Sequence, residues 1–386
     1  MQKVITSEQI PIKLWLEQIE DTALQQAKNL ANLPFAFSHI PVMPDSHQGY
    51  GMPIGAVLAT KDEIIPNAVG VDIGCGMCSI RTDLNQIEKN QLVKIIKILN
   101  KSIPVGFNHH SEKQDLHWMP DLQNRSMPIV EREYESATHQ VGTLGGGNHF
   151  IEIQSGSDNH IWIMIHSGSR NIGLQVAKHY HNLAKGITQK RNKKIPKDLS
   201  YFNRALDDEF DKYLNEMNYC IQFALNNRLL MMERVKEAFI DIMGEVDFSG
   251  FINKPHNFAA TETHFDHELI IHRKGVTRAR KGEKGMIPGS QGTSSYIVIG
   301  LGNPDSFESC SHGAGRVMSR TAAKKNLDLK SEQQQLEEMG ILHAVKNRSD
   351  LDEAPSSYKD IKEVMAYQKD LIDIEIELKP LAVIKG

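Results

Sequence analysis

Four short stretches of this chain set potential metal ligands beside glycine. VDIGCGMC, residues 71–78, runs apolar residues into a turn that offers the hard oxygen of Asp72 and the soft sulfur of Cys75 together. GTLGGGNHFIEI, residues 142–153, places three glycines ahead of Asn148, His149 and Glu152, and glycine lets a backbone approach a ligand closely. IWIMIHSGSRNIG, residues 161–173, reads as a buried strand that ends by delivering His166, Ser167, Ser169 and Arg170 at a turn, a common place for a site. KPHNFAA, residues 254–260, adds His256 and Asn257. One Asp, one Cys and three His are too many for a closed tetrahedral zinc. The mixed O, S and N set suggests two adjacent divalent ions with open positions, the arrangement that clamps a phosphoryl group during in-line displacement. Carboxylate and imidazole admit Mn²⁺, although affinity order alone favours zinc. Each stretch also has an ordinary reading: a turn with a buried thiol, a tight glycine turn, or a hydrogen-bonded histidine at a strand end.

Other local patterns are weaker. Strict strand alternation puts Asn148 and Glu152 on one face and His149 on the other, so a turn or bulge must re-aim Asn148 or His149 if all three serve one site. Cys75 and Cys78 form a CxxC, but Cys220 and Cys310 stand far apart and no helix pattern starts at the motif, which argues against both a four-cysteine zinc site and a thioredoxin-like thiol. No GxxxxGK[ST] occurs; GMIPGSQGTSSY, residues 285–296, offers instead backbone N–H groups and the hydroxyls of Ser290, Thr293 and Ser294 to a phosphate or base, or is only a turn. ESCSHGAGRVMSR, residues 308–320, sets Cys310, Ser311 and His312 side by side as possible nucleophiles, and local pattern does not choose among them.

The elements that must hold these residues follow from periodicity. Residues 14–30 read as a short amphipathic helix, 40–82 as buried strands broken by glycine, 83–140 as helix and irregular loop, and 141–173 as strands again. The longest helical block is 203–243, with Leu206, Phe210, Tyr213, Leu214, Met217, Ile221 and Leu225 on one core-facing stripe. Sheet is expected again at 268–300, and a short helix near 359–370 precedes the closing LKPLAVIKG. With no repeat, low-complexity tract or linker, the expectation is one composite α+β domain across residues 1–386.

Composition bounds the rest. At 40% hydrophobic and 24% charged residues, with no apolar run near the roughly 18 residues of a membrane span, the chain reads as an ordinary soluble protein. MQKVITSEQIPIKLW lacks the basic start and apolar block of a secretory signal, which predicts a reducing cytoplasm and four unpaired cysteines. A net charge of −4 excludes a chain-wide basic coat for nucleic acid and leaves two local basic stretches, KRNKK at 190–194 and HRKGVTRARKGEKG at 272–285.

Taken in order, MPDSHQGYG (43–51), NAVGVDIGCGM, GTLGGGNHF, HSGSR, HNF, IPGSQGTSSY, SCSHGAGRVMSR and PLAVIKG resemble the RtcB family of RNA-splicing ligases. The resemblance implies mixed β-sheets around a central di-metal cleft with flanking helices. It also implies an activity: GTP-dependent joining of RNA 3′-phosphate or 2′,3′-cyclic phosphate ends to 5′-hydroxyl ends, in repair or tRNA splicing, through a histidine–GMP and an RNA-ppG end. By that resemblance Asp72, Cys75, His149, His166 and His256 ligate two Mn²⁺ with Cys75 bridging, and His312 is the nucleophile. Asn148, Glu152, Ser290, Tyr358 and Lys385 match guanylate-binding positions, Gly313 and Gly315 leave room for nucleotide beside His312, and Cys310 becomes a packing residue. Arg170, Arg316 and Arg320 are the candidates for RNA phosphate, which guanidinium grips bidentately. The implied partners are RNA and GTP, with room for an activating protein and no membrane. Residues 186–202 match no family pattern, and EVMAYQKDLIDIEIELKP is more acidic than the family's run before the closing motif. A di-metal phosphodiesterase that only opens cyclic phosphates would need neither His312 nor Lys385, and a non-catalytic RNA-binding relative would be expected to have lost ligands.

Overall fold

Short apolar runs interrupted by glycine do become strands, and they sort into two large sheets. The computed structural model describes residues 1–122 and 125–386, so two residues of the expected irregular stretch 83–140 lie outside it. One sheet has six strands in the order Lys3–Ile5, Ile12–Leu14, Ile40–His47, Ile54–Thr60, His267–Lys274 and Asn257–His264. Ile12–Leu14 and Ile40–His47 run parallel and the other neighbours antiparallel. The other sheet has seven antiparallel strands in the order Phe248–Pro255, Gly76–Thr82, Ile161–Ser167, Phe150–Gly156, Ile372–Lys385, Ser295–Gly300 and Lys284–Ile287. His256 alone separates Pro255 from Asn257, so the chain passes from one sheet to the other at a candidate ligand. The fold is α+β.

Strand alternation then decides what faces what. On the seven-stranded sheet, Ile151, Ile153, Ile161, Ile163 and Ile165 point one way and pack against Leu92, Ile95 and Leu99 of helix Lys89–Ser102 and Met231, Val235 and Phe239 of helix Glu209–Met243. Each such buried side chain contributes about 1.5–3 kcal/mol relative to exposure. The opposite parity, Phe150, Glu152, Trp162, Met164 and His166, faces away from those helices, which is how Glu152 and His166 come to share a side.

The 35-residue helix Glu209–Met243 also carries fully buried polar residues, of which Asn227 and Arg228 reach the site. Asn227 Oδ1 accepts the N–H groups of Gly142 (2.7 Å) and Thr143 (3.1 Å), and its Nδ2 donates to Ser167 Oγ and Gly168 O, both at 3.1 Å. Arg228 donates to Gly74 O (3.0 Å), Ser167 O (2.7 Å) and Asn253 Oδ1 (2.7 Å). These residues tie down the three glycine turns singled out from sequence.

Some expectations need correction. Residues 14–20 are not helical: Leu14 ends a strand, Trp15 N donates to Val42 O, and the indole reaches Asp370, so the helix starts only at Asp21. Leu206 is not on the long helix's stripe; it is 67% exposed in a turn closed by Asn203 and Asp207, and the helix begins at Glu209. Residues 170–191, 320–326 and 329–338 are helices that were not anticipated. The unmatched 186–202 segment completes the first of these and adds strand Phe202–Asn203, which pairs with Glu63–Ile64. The 272–285 stretch does not form a free cationic groove, and in the 190–194 stretch Arg191 is engaged while Lys190, Lys193 and Lys194 are exposed. Arg191 pairs with Asp207; Arg273 is buried on Glu262, Arg278 pairs with Glu283, Arg280 lies near Glu262 and Glu308, and Lys274 is buried on two carbonyls. All four cysteines are unpaired and buried, and no helix among the described residues is long and apolar enough to cross a membrane.

Because Asn227→Ala leaves buried N–H groups of Gly142 and Thr143 without an acceptor, it should destabilise the metal-free protein by about 3 kcal/mol in urea unfolding. A loss of under about 0.5 kcal/mol, the range of an ordinary surface change, would show that the helix does not secure these turns.

Candidate active site

Asp72 and Cys75 occupy the turn between helix Pro66–Val69 and strand Gly76–Thr82. The turn runs so close to the long helix that a Cβ on Gly74, which has φ +75°, would meet Ile221 Cα at 2.8 Å. His149 and Asn148 come before strand Phe150–Gly156 rather than within it, and so escape the alternation that would have sent them to opposite faces. His166 is on strand Ile161–Ser167, and His256 is at the crossover between sheets.

These side chains form a row. Asp72 Oδ2 is 3.1 Å from His149 Nε2, which is 3.4 Å from Cys75 Sγ; the sulfur is 3.3 Å from His166 Nε2, itself 3.3 Å from His256 Nε2. The thiol is central, with one oxygen and one nitrogen on one side and two nitrogens on the other. His149 Nδ1 donates to Leu144 O (2.9 Å) and His166 Nδ1 to Asn148 O (3.0 Å). A carbonyl only accepts, so each Nδ1 carries a proton; His166 Nε2 presents its lone pair to the sulfur, and His149 Nε2 can do so once the proton it shares with Asp72 is lost, the orientation of a ligating imidazole.

Electrostatics favours the same use. Burial pushes His166 and His256 well below the usual histidine range, so both are neutral. Burial, reinforced by Asp72, pushes the Cys75 thiol well above its usual range. Burial opposes ionisation of Asp72, yet the hydrogen bond and charge of His149 bring its pKa down to about 2. A site with one carboxylate, the neutral imidazoles of His166 and His256 and a thiol that needs a positive neighbour to ionise is chemically suited to divalent cations.

His312 follows strand Ser309–Ser311, which is held by Val276–Arg278. Its ring lies 4.8 Å from the His256 ring, centroid to centroid. Asp45, buried within strand Ile40–His47, places Oδ2 2.6 Å from His312 Nδ1 and also accepts the backbone N–H groups of His312 (3.0 Å) and Gly313 (3.2 Å). An ionised carboxylate only accepts, so Nδ1 bears the proton and Nε2 is the available nucleophilic atom. Burial works against the Asp45 charge, but His312 outweighs it and holds the carboxyl below its usual range. Gly315, at φ +74°, lets the loop pass Asp45, whose carbonyl oxygen a Cβ would meet at 2.1 Å. Cys310 packs in an apolar cluster, where burial pushes its thiol pKa up, which removes it as a competing nucleophile.

Beyond His312 opens a cavity of about 440 Å³, within the range of small-ligand sites. Asn148, Glu152, Ser290, Gly313, Gly315, Tyr358 and Lys385 line it, as do Arg316 and Arg320. Lys385 arrives because its strand pairs with Phe150–Gly156, register Lys385 to Phe150. Glu152 Oε2 accepts from Gln154 at 3.0 Å, while Oε1 is buried without a partner. Burial raises the Glu152 pKa to about 8, with Lys385 opposing. In the 285–296 stretch Ser290 bonds Thr293 and faces the cavity, whereas Ser294 turns to Glu377. Arg170 is not on this wall: it donates to Thr143 Oγ1 (3.1 Å) and Gly106 O (3.2 Å) near the Asp72 end of the row. Sequence reasoning missed Asp45, Asn227 and Glu353; Asn227, an amide inside the apolar FALNNRLLMM, carried a local signal, whereas Glu353 lies in the polar SDLDEAPSS and carried none.

The family model described as "tRNA-splicing ligase RtcB" matches residues 26–386. RNA-splicing ligase RtcB of Escherichia coli K12 is 40% identical over 409 aligned residues, covering 100% of this chain and 99% of the relative. tRNA-splicing ligase RtcB of Nanoarchaeum equitans is 31% identical over 450, covering 97% and 94% respectively. That of Thermococcus kodakarensis is 29% identical over 447, covering 95% and 92%. Matched along nearly its whole length, the chain belongs to the RtcB family.

Proposed function

We propose that this chain is an RNA ligase for repair or tRNA splicing, which uses GTP and two Mn²⁺ to join 3′-phosphate or 2′,3′-cyclic phosphate ends to 5′-hydroxyl ends. The observation that carries this reading is His312: Asp45 fixes its Nδ1 while the ring stands between the ligand row and the cavity. Asp72, Cys75, His149, His166 and His256 would hold the ions, which when bound neutralise charge developing on phosphoryl oxygens.

His312 Nε2 attacks the α-phosphorus of GTP, a P–N bond forms, and the bond to the β-phosphate oxygen breaks to release pyrophosphate. Asp45 keeps the proton on Nδ1 and stabilises the positive ring that results, the role a buried carboxylate plays behind a reacting histidine. An RNA 3′-phosphate oxygen then takes the GMP from nitrogen, which returns His312 to neutrality. A 5′-hydroxyl attacks the activated 3′-phosphate and GMP leaves; a cyclic phosphate is first opened by water.

Guanine is the base that suits the cavity. Its N1–H and N2–H donors match the unpartnered Glu152 oxygen and its neighbour, and its O6 can accept from Lys385. Arg170, near the row, and Arg316 and Arg320, on the cavity wall, are placed to meet RNA phosphate from two sides. A hydrolase that only opened cyclic phosphates would have no use for this cavity or for His312. One catalytic unit across 1–386 is proposed, and a reducing cytoplasm suits a site whose Cys75 must remain a free thiol.

With GTP labelled at the α-phosphate and Mn²⁺, the protein should carry acid-labile, base-stable label. His312→Ala should carry none, and Asp45→Asn should label at least about 100-fold more slowly, as expected when the base's orienting carboxylate is lost. Equal labelling of the His312→Ala protein would sink the nucleophile assignment. Cys75→Ala should remain folded by circular dichroism but lose bound Mn²⁺ and labelling together, and unchanged metal content would contradict a bridging thiolate. Since the acceptor form of Glu152 grows as pH rises toward about 8, GMP affinity should strengthen from pH 6.5 to 8.5. Glu152→Gln should flatten that rise, with the nucleotide's own titration common to both proteins; parallel pH profiles would exclude Glu152.

A further inference from the structure

We propose that Glu353 is the positioning residue of the nucleotide cavity, one buried carboxylate that sets Lys385, Arg316, Arg320 and Tyr358 in place for the guanylate. The inference rests on reading this cavity as a guanylate site. Glu353 ends the 3₁₀ turn Arg348–Glu353 and is only 4% exposed. Oε1 lies 3.3 Å from Arg316 Nη1 and 3.3 Å from Arg320 Nη2. Oε2 accepts from Lys385 Nζ at 3.1 Å and from the Tyr358 hydroxyl. Four candidate ligand contacts, brought from three separate parts of the chain, thus converge on one carboxylate.

Charge shows why such a hub is needed. Three cations meet one anion, which leaves this wall with two excess positive charges, and Lys385 and Arg316 are largely buried. Without Glu353 the cations would repel one another in a region where water screens them poorly. With it they stay aligned and still have capacity for an anionic ligand. Arg316 shows that capacity directly: Nε donates to Met318 O at 3.1 Å, Nη1 meets Glu353, and Nη2 is buried with no partner. Its guanidinium also lies 5.3 Å from the Tyr358 ring centroid, so the hub orders both groups as a unit.

Lys385 gives Glu353 a consequence for base choice. It lies between two carboxylates, bonded to Glu353 and close enough to Glu152 to act on its charge. While Glu353 holds the ammonium, Glu152 keeps an oxygen free for a donor N–H of the base. If that hold is lost, Lys385 can turn to Glu152, whose charge it already favours across the same cavity, and pairing there would occupy the acceptor that distinguishes guanine from a base lacking the 2-amino group. The main-chain oxygen of Glu353 also accepts from Gln291 Nε2 at 3.0 Å, so the same residue couples the cation cluster to the Ser290 turn.

The test measures equilibrium binding of GMP and IMP to the Mn²⁺-loaded protein, with Glu353→Gln to remove the charge at constant size and Glu353→Asp to restore it. Glu353→Gln should bind GMP about tenfold more weakly and lose most of the preference for GMP over IMP, the scale of one hydrogen bond to a charged group. Half-maximal His312 labelling should require about tenfold more GTP in Glu353→Gln, and Glu353→Asp should recover part of both the affinity and the base preference. Unchanged affinity and preference in Glu353→Gln, absence of binding in both proteins, or an equal fall for both nucleotides would each overturn the inference. A wild-type protein that binds GMP with this Glu353 dependence yet never becomes labelled by GTP would instead overturn the ligase reading.

Discussion

The site depends first on two buried polar residues of one helix. Asn227 and Arg228 hold the turn after Gly142, the turn around Gly74 and the end of the Ile161–Ser167 strand through six hydrogen bonds. Glycine-rich turns have little side-chain packing to define them and lose much entropy on ordering. A rigid helix that supplies their missing donors and acceptors converts three flexible peptides into a frame fixed closely enough for a five-atom donor row. The turns also need glycine for the opposite reason: Gly74 must admit the helix itself. Access and rigidity are therefore supplied by different parts of the chain.

Within that frame the two nitrogens beyond the sulfur are kept uncharged. His166 and His256 are buried until they are neutral, and the carbonyls of Leu144 and Asn148 turn Nε2 of His149 and His166 inward. Buried Arg228 is turned to carbonyl groups behind the turn. A divalent ion then meets donors that need no reorientation.

Much of this was legible in the sequence because ligands and glycines are local. Asp72, Cys75, His149, His166 and His256 fall in stretches whose polarity breaks an apolar pattern, and the structure strings all five into one row of neighbouring contacts. The alternation problem at Asn148 and His149 disappears because the strand starts after them, a boundary that composition does not mark. What escaped was non-local. Asp45 sits in a buried strand and acquires meaning only through His312, 267 positions away. Helix Arg170–Arg191 was hidden behind a strand-ending turn, and residues 14–20 were claimed by sheet and indole contacts that outweigh local helical spacing. The basic 272–285 stretch suggested a cationic groove, but its charges are drawn to Glu262, Glu283 and Glu308.

Three buried carboxylates in this cleft show how environment assigns work to one functional group. Asp45 faces a histidine and two backbone N–H groups, stays ionised, and directs a ring nitrogen. Glu353 faces three cations and a tyrosine, is held below the usual carboxylate range despite its burial, and orders them. Glu152 has only Gln154 as a hydrogen-bond partner and a lysine already committed elsewhere, so burial dominates and its pKa rises to about 8. Asp45 Oδ1 and Glu152 Oε1 are both buried without a partner, but of the two only Glu152 lines the cavity, where a ligand can reach the unmade hydrogen bond. A ligand able to donate there gains more than it would from either of the others. On the proposed reading, selectivity for the base belongs to the one of these carboxylates that keeps a free oxygen in the cavity, and it persists only while Glu353 keeps Lys385 from occupying that oxygen first.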